Sequence, residues 1–214
     1  MKKLFSMVLS IAMIMSMACF AVSAEDVTIS DLAELQAFAA DVNSGNSYAG
    51  KTVVLDADID LGGAEWTPIA NASRSGTSFS GNVFSGTFDG QNHEISGLVI
   101  TNGSGDQAVG FFGAVSGGTV KNLKFADVNV NAPAGENVGA AVGAMAKGTV
   151  EGITVSGSVA GKAAVGGVVG RVLAIGTIQN CANSATIVQA GKNDSAGGVV
   201  GKAYYTSLDG IMEI

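Results

Sequence analysis

The feature that most constrains this chain is that it repeats itself. Gly118-Thr119-Val120-Lys121-Asn122-Leu123 returns as Gly148-Thr149-Val150-Glu151-Gly152-Ile153 and again as Gly176-Thr177-Ile178-Gln179-Asn180-Cys181, with first glycines 30 and 28 residues apart. A second signature falls between these: Ala108-Val109-Gly110-Phe111-Phe112-Gly113, Val138-Gly139-Ala140-Ala141-Val142-Gly143, Val165-Gly166-Gly167-Val168-Val169-Gly170 and Ala196-Gly197-Gly198-Val199-Val200-Gly201, whose final glycines advance by 30, 27 and 31. Two motifs that keep one order and nearly one period mark an array in which no single unit is long enough to bury a core alone. The apolar segments are four to six residues long and bounded by Gly, Asn, Ser and Asp, which is strand-sized. After residue 45 no stretch keeps a helical apolar period with caps. Helical solenoids are therefore excluded, and an all-β array remains: a β-solenoid whose strands pair in parallel from coil to coil, with about one coil per 27–31 residue repeat.

In such a coil equivalent side chains stack about 4.8 Å apart. Val120, Val150 and Ile178 are expected to form one inward column with Ile95 below them, and Leu123, Ile153 and Cys181 another with Leu98 below. The segments 131–137 and 189–195 differ in length between repeats and are expected to be loops. Segment 25–50 reads as an N-terminal helical cap. Asp31 and Glu34 have capping-box spacing, and Leu32, Leu35, Phe38, Ala39 and Val42 follow at helical intervals before Asn43-Ser44-Gly45. The run from Lys51 to Leu61 reads as the first strand pair, so the β-helix is expected over 51–214.

The first 24 residues do not belong to this pattern. Met1-Lys2-Lys3, the apolar run from Leu4 to Phe20, and the small residues Ala21-Val22-Ser23-Ala24 make a secretory signal peptide, with processing expected after Ala24. Eleven basic and 18 acidic residues give a formal charge of −7, and loss of Lys2 and Lys3 with the signal makes the remainder more acidic. Such a chain repels nucleic acid and anionic membranes. No second apolar stretch is long enough to span a bilayer. Cys19 leaves with the signal, so Cys181 remains without an intramolecular disulfide partner. Thirty-one glycines beside only two prolines exclude collagen, and recurrent Val, Ile, Leu and Ala with sparse charge exclude disorder.

The residues also resemble a known family. Phe84-Ser85-Gly86-Thr87-Phe88-Asp89-Gly90, then Ile95-Ser96-Gly97-Leu98, then Val109-Gly110-Phe111-Phe112-Gly113 and the later Val-Gly-Gly-Val-Val-Gly units are similar to the GLUG-type repeats of bacterial surface proteins. The resemblance covers nearly all of 27–214, lead-in included, and departs at Gln91-Asn92 and at Ala140-Ala141. It implies a right-handed parallel β-helix of the pectin-lyase-like class in a secreted or cell-surface, adhesin-like bacterial protein. Such repeats also lie beside the protease domain of some immunoglobulin A-cleaving metallopeptidases. The family carries no agreed catalytic motif, so the resemblance implies architecture more than activity.

Candidate chemistry is sparse. Asp56, Asp58 and Asp60 alternate on one strand face and, with Asp89, could offer oxygens to Ca²⁺; the alternative is a solvated outer face. His93, the only histidine, rules out a multi-histidine zinc site and reads as a strand-start residue after the Asp89-Gly90 turn. Cys181 replaces Leu123 and Ile153 of the sister repeats and reads as a small buried hydrophobe. Asn122 and Asn180 fit either an amide ladder or a plain turn. In the Phe111-Phe112 pair one ring is expected to face out, so Trp66, Phe112 and Arg74 are the residues of a possible ligand surface, against core packing as the alternative. A polysaccharide lyase would need clustered carboxylates beside Arg or Lys, and a glycosidase two carboxylates across a groove. No catalytic residue and no cofactor is assigned. The expected role is an adhesin-like binding module or stalk that takes a glycan or a host or bacterial surface protein. The alternatives are a carbohydrate-active enzyme on the same scaffold, or an accessory domain of a surface metallopeptidase. Gly210-Ile211-Met212-Glu213-Ile214 matches the start of a repeat, so the array is expected to be truncated at its C-terminus and to self-associate end to end.

Overall fold

The structure is a computed structural model, and it describes residues 26–192 and 194–204. The expected signal peptide and the Gly210–Ile214 partial repeat lie outside the described residues. The chain opens with β1 (Val27–Ile29) and helix α1 (Leu32–Asn43), followed by β2 (Thr52–Leu55) and β3 (Ile59–Asp60). A hairpin of β4 (Ala72–Ser75) and β5 (Ser78–Gly81) precedes the next coil, which holds β6 (Thr87–Asp89), β7 (Glu94–Ser96), β8 (Val99–Ile100), β9 (Ser104–Val109) and β10 (Phe112–Ser116). Then the repeat becomes regular: β11 (Thr119–Ala132), β12 (Ala134–Gly139) and β13 (Val142–Ala146), followed by β14 (Thr149–Gly161), β15 (Val165–Gly166) and β16 (Val169–Val172). The last described coil breaks the long strand into β17 (Thr177–Gln179), β18 (Ala182–Asn183) and β19 (Thr186–Gln189), and closes with β20 (Ala196–Gly197) and β21 (Val200–Ala203).

Successive coils pair in parallel, so the molecule is a β-solenoid with three sheets running along its axis. The broad sheet stacks six levels in the order β1-β2-β6-β11-β14-β17, one short sheet runs β10-β13-β16-β21, and the other runs β9-β12-β15-β20. Strand alternation sets the broad sheet's inner face. In β11 the side chains of Val120, Leu123, Phe125, Val128, Val130 and Ala132 are buried, while Lys124, Asn129 and Asn131 point to solvent. Val120, Val150 and Ile178 stack as expected, and the column continues downward through Phe88 and Val53 to Val27.

The residue beneath Val120 is thus Phe88, not Ile95, and the expected position of Leu98 beneath Leu123 also fails. Ile95 lies between Ile59 and Phe125. Leu98 comes level with Val128, because Asn129 N donates to Leu98 O and Val99 is the partner of Asn129. The cause is local. Between Lys121 and Lys124 there are two residues, but between their partners Asp89 and Glu94 there are four, and Gln91 and Asn92 take the surplus into a turn with φ of 50° and 65°.

The V-G-x-x-V-G signature is explained where the two short sheets meet. A Cβ on Gly143 would lie 2.3 Å from Val109 N, and one on Gly166 2.0 Å from Val169 O, so backbone packs on backbone. Between the paired glycines the chain swings round a corner, where alternation lapses and two successive residues both face the core. Phe111 and Phe112, Ala140 and Ala141, and Val168 and Val169 are each fully buried pairs. The outward Phe expected from strict alternation is therefore absent.

Two loop expectations divide. Segment 131–137 is strand rather than loop, with only Pro133 between β11 and β12. Segment 189–195 does connect two strands, β19 and β20. Helix α1 forms with Asp31 as its N-cap, where Asp31 Oδ1 accepts from Glu34 N at 2.8 Å and Glu34 Oε2 accepts from Ser30 N at 2.7 Å. It buries Leu35, Phe38, Ala39 and Val42 against the first coils, but β1 in front of it was not legible as a strand.

Candidate functional site

The expected site residues are scattered by the fold. Asp56 is exposed. Asp58 Oδ1 accepts from Glu94 N and pairs with His93 Nδ1, both at 2.9 Å, and these two bonds in that order hold its carboxyl below the usual range. Asp60 Oδ1 accepts from Gly62 N at 2.8 Å. Asp89 faces Lys121 Nζ at 3.0 Å and accepts from Gln91 N and Asn122 Nδ2; burial raises its carboxyl pKa, but these bonds and the Lys121 charge outweigh burial and leave it lowered. Each carboxylate turns to its own neighbours, and no group of three or more His, Cys, Asp and Glu side chains converges among the described residues.

Trp66, Phe112 and Arg74 do not share a surface. Trp66 is 8% exposed, stacks on Phe111 with centroids 5.2 Å apart, and donates Nε1–H to Phe111 O at 3.2 Å. Phe112 is fully buried among Phe38, Phe84 and Phe88. Arg74, on the hairpin, pairs with Asp106. Cys181 is half-buried against the core, and burial pushes its thiol pKa up, so it is no thiolate nucleophile at neutral pH. Asn122, Gly152 and Asn180 occupy one left-handed turn position, with φ of 54°, 62° and 54°. That is why Asn and Gly interchange there, and it settles the choice in favour of the turn.

Two recesses border helix α1 among the described residues. One, of about 340 Å³, lies between α1 and the segment before the hairpin and is lined by Gln36, Ala39, Ala40, Asn43, Glu65, Trp66 and Thr67. Its polar groups are largely engaged: Glu65 accepts from Thr101 N, Thr101 Oγ1 and Asn102 Nδ2, and Asn43 bonds Pro68 O and Asn71 N.

The other, of about 350 Å³, lies between β1 and α1 and is lined by Val27, Ile29, Glu34, Phe38, Asp41 and Tyr48. Where the two short sheets adjoin there is instead a cluster of charged and amide side chains. Along the axis Ala114, Ala144, Arg171 and Lys202 are register partners in one short sheet. Next to Arg171 and Arg74 lie Glu136 and Asn137 of β12 and Asp106 of β9. Arg74 pairs with Asp106, Lys162 Nζ with Glu136 Oε1 at 2.6 Å, and Lys202 Nζ with Asp194 Oδ1 at 3.7 Å. Lys162 and its charge, together with those of Arg171 and Arg74, hold the Glu136 carboxyl below its usual range. Arg171 differs from the other cations. It is only 4% exposed, donates Nη2–H to Glu136 O at 3.0 Å and Nη1–H to the Tyr204 hydroxyl at 3.1 Å, and has the Tyr204 ring 5.5 Å from its guanidinium carbon. Asn137, fully buried, donates Nδ2–H to Asp106 O at 2.9 Å. Arg171 Nε, Asn137 Oδ1 and Arg74 Nε are buried without a hydrogen-bond partner among the described residues. Sequence reasoning missed this cluster, though a signal existed. The residue after the last glycine of the second signature changes from Ala114 and Ala144 to Arg171 and Lys202, a charge entering a column of methyl groups.

Comparison with known proteins agrees with this architecture. Residues 161–188 match the family model of the GLUG motif. The chain is 34% identical over 184 residues to halomucin of Haloquadratum walsbyi, an alignment that covers 81% of this chain and 2% of halomucin. It superposes with a TM-score of 0.52 and 20% identity on a Bacteroides ovatus crystal structure that carries the provisional name immunoglobulin A1 protease, over 83% of this chain and 61% of that one. The chain thus spans a small fraction of halomucin and under two thirds of the solved structure, and the latter likeness is one of fold. With the stacked coils and the recurring glycine signatures, these matches show a β-solenoid of repeated coils that carries the GLUG motif at residues 161–188.

Proposed function

We propose that this protein is a non-catalytic module of a secreted or cell-surface protein, spacing other parts or binding a glycan or a surface protein. One observation carries the reading: the repeated positions are filled by Gly, Val, Ala and Ile, and the carboxylates that a lyase or glycosidase would use are tied to their own neighbours, Asp58 to His93, Asp89 to Lys121 and Glu136 to Lys162. A specific function on such a scaffold falls to the flanks and loops. The likeness to halomucin supports a place at the cell surface. A glycan array combined with a release assay on polyuronates and neutral polysaccharides tests the reading. Binding without product is the expected result. Cation-dependent appearance of unsaturated sugar ends, abolished by Asp56→Ala or Arg74→Ala, would overturn it in favour of a lyase.

A further inference from the structure

We infer that Asn102 is a self-modification site: its side-chain amide converts to a carboxyl without an enzyme, with water as the only co-reactant, and the change cuts the tie that fastens the loop between β8 and β9 to Glu65. The inference is independent of the binding reading above.

Asn102-Gly103 is the one Asn-Gly pair of the chain, and it lies in the loop that joins β8 to β9. Cyclisation of an asparagine needs the next backbone nitrogen to reach the side-chain carbonyl carbon, and the structure leaves that approach open. Gly103 has no Cβ to crowd it, and glycine is dictated there by the backbone: φ is 148°, and a Cβ would lie 2.5 Å from Val109 Cγ2. Gly103 N donates no hydrogen bond among the described residues, and Asn102 is exposed. At comparable positions the nitrogen is tied. Gly90 N, after Asp89, donates to Lys121 O at 2.8 Å, Ser44 N, after Asn43, to Ala40 O at 2.9 Å, and Ser184 N, after Asn183, to Val155 O at 2.8 Å.

The step is a substitution at Asn102 Cγ. Gly103 N gives up its proton to solvent and bonds to Cγ, the Cγ–Nδ2 bond breaks, and Nδ2 takes up a proton and leaves as ammonia. Water then opens the cyclic imide at either carbonyl. Opening at Cγ gives aspartate, and opening at the backbone carbonyl gives isoaspartate, whose main chain is one carbon longer. The sum is one water consumed and one ammonia released, with nothing oxidised or reduced.

Glu65 gives the reaction its structural consequence. Its carboxylate accepts from Thr101 N at 2.8 Å, Thr101 Oγ1 at 2.8 Å and Asn102 Nδ2 at 2.9 Å, and the Thr101 amide foremost holds the carboxyl below its usual range. Before the reaction this clamp restrains the Asn102 side chain, so attack at Cγ waits until Nδ2 lets go. Afterwards the Nδ2 donor is gone and a second carboxylate stands beside Glu65, where like charges repel. The loop then separates from Glu65, a residue that also lines the recess beside α1.

The test is timed incubation of the full chain in mildly alkaline buffer, folded and in urea, with peptide mass spectrometry at each asparagine and isoaspartyl methyltransferase labelling of the product. In the folded chain Asn102 is expected to convert about tenfold or more faster than Asn43 and Asn183, whose following amides are tied, and to yield isoaspartate beside aspartate. Glu65→Ala should speed conversion at Asn102 about threefold or more, toward the rate in urea, and leave Asn43 and Asn183 unchanged. Should Glu65→Ala not fold, as judged by circular dichroism, Glu65→Gln decides, with the same direction expected. In the aged fraction, separated by its added negative charge, the Thr101 amide should exchange hydrogen faster than in the fresh chain. Conversion of folded Asn102 no faster than that of Asn43 and Asn183 overturns the site. A rate that the Glu65 substitution leaves unaltered, or equal Thr101 exchange in aged and fresh chains, overturns the clamp and its release.

Discussion

Gly143 and Gly117 look alike in sequence and differ in what holds them. Gly143 lies where the two short sheets touch, and a Cβ there would sit 2.3 Å from a backbone nitrogen that cannot move without shifting its strand. Gly117 has φ of 74° but open space around it, so an added methyl meets only local backbone strain. Gly143→Ala should cost about 3 kcal/mol or more, and Gly117→Ala about 1–2 kcal/mol, a difference that urea unfolding will read. Tyr48 makes a second case. Its ring is buried against Phe38 and its hydroxyl donates to Asp41 Oδ2 at 2.8 Å. Burial first, then the hydrogen bond and charge of Asp41, push its pKa up to about 12 from 10.0. The folded state keeps this proton when the unfolded chain has lost it. The associated stability is therefore complete below about pH 10 and is lost as pH rises toward about 12. Tyr48→Phe should remove that component of the alkaline decline in unfolding free energy, together with the highest-pH step of the tyrosinate absorbance titration.

At the level of elements, period and composition made the repeated strands and the cap helix readable, because strand alternation and helix capping are written in neighbouring residues. Val120, Val150 and Ile178 share a motif and share a column. Legibility failed where geometry depends on residues far apart. The two-residue surplus at Gln91 and Asn92 shifts what lies beneath Val120. The corner at Phe111 and Phe112 turns both rings inward against the alternation rule, and β1 becomes a strand only because β2 offers it an edge. The Arg171 cluster joins residues from four separate turns of chain, so no local pattern announces it. Helix α1 was legible, and its contribution can be measured. Phe38 meets Tyr48, Phe84, Phe88 and Phe112 with ring centroids 5.0–6.5 Å apart. Phe38→Ala should cost about 3–5 kcal/mol, while Asp31→Ala, which loses only the N-cap bond, should cost about 1 kcal/mol. Chemical denaturation of the two variants separates the helix's packing from its capping.

Across the whole molecule the core changes character along the axis. The ring contacts of the interior join Phe38, Tyr48, Trp66, Phe84, Phe88, Phe111, Phe112 and Phe125, all in the N-terminal part of the array. Beyond Phe125 the buried apolar side chains are Val, Ile, Ala, Leu173 and Met145, and in the last described coil β18 and β19 carry only exposed and half-exposed residues, among them half-exposed Ile187 and Val188 at 49% exposure. A solenoid's stability is close to a sum of coil and nearest-neighbour terms, so such a gradient in buried area becomes a gradient in local opening rather than a uniform loss. Native-state hydrogen exchange is expected to show the amides of β17–β21 exchanging first, those of β14–β16 next, and those of β6–β11 last and close to the global unfolding rate. Replacing Val155 by Ala in β14, opposite Phe125, should speed exchange in the coils beyond it more than in those before it, because the coils on the aromatic side keep their own interface. Exchange of all three groups at one rate, in the wild type and in the variant alike, would show that the coils open as a single cooperative unit and that the aromatic end stabilises the whole array equally.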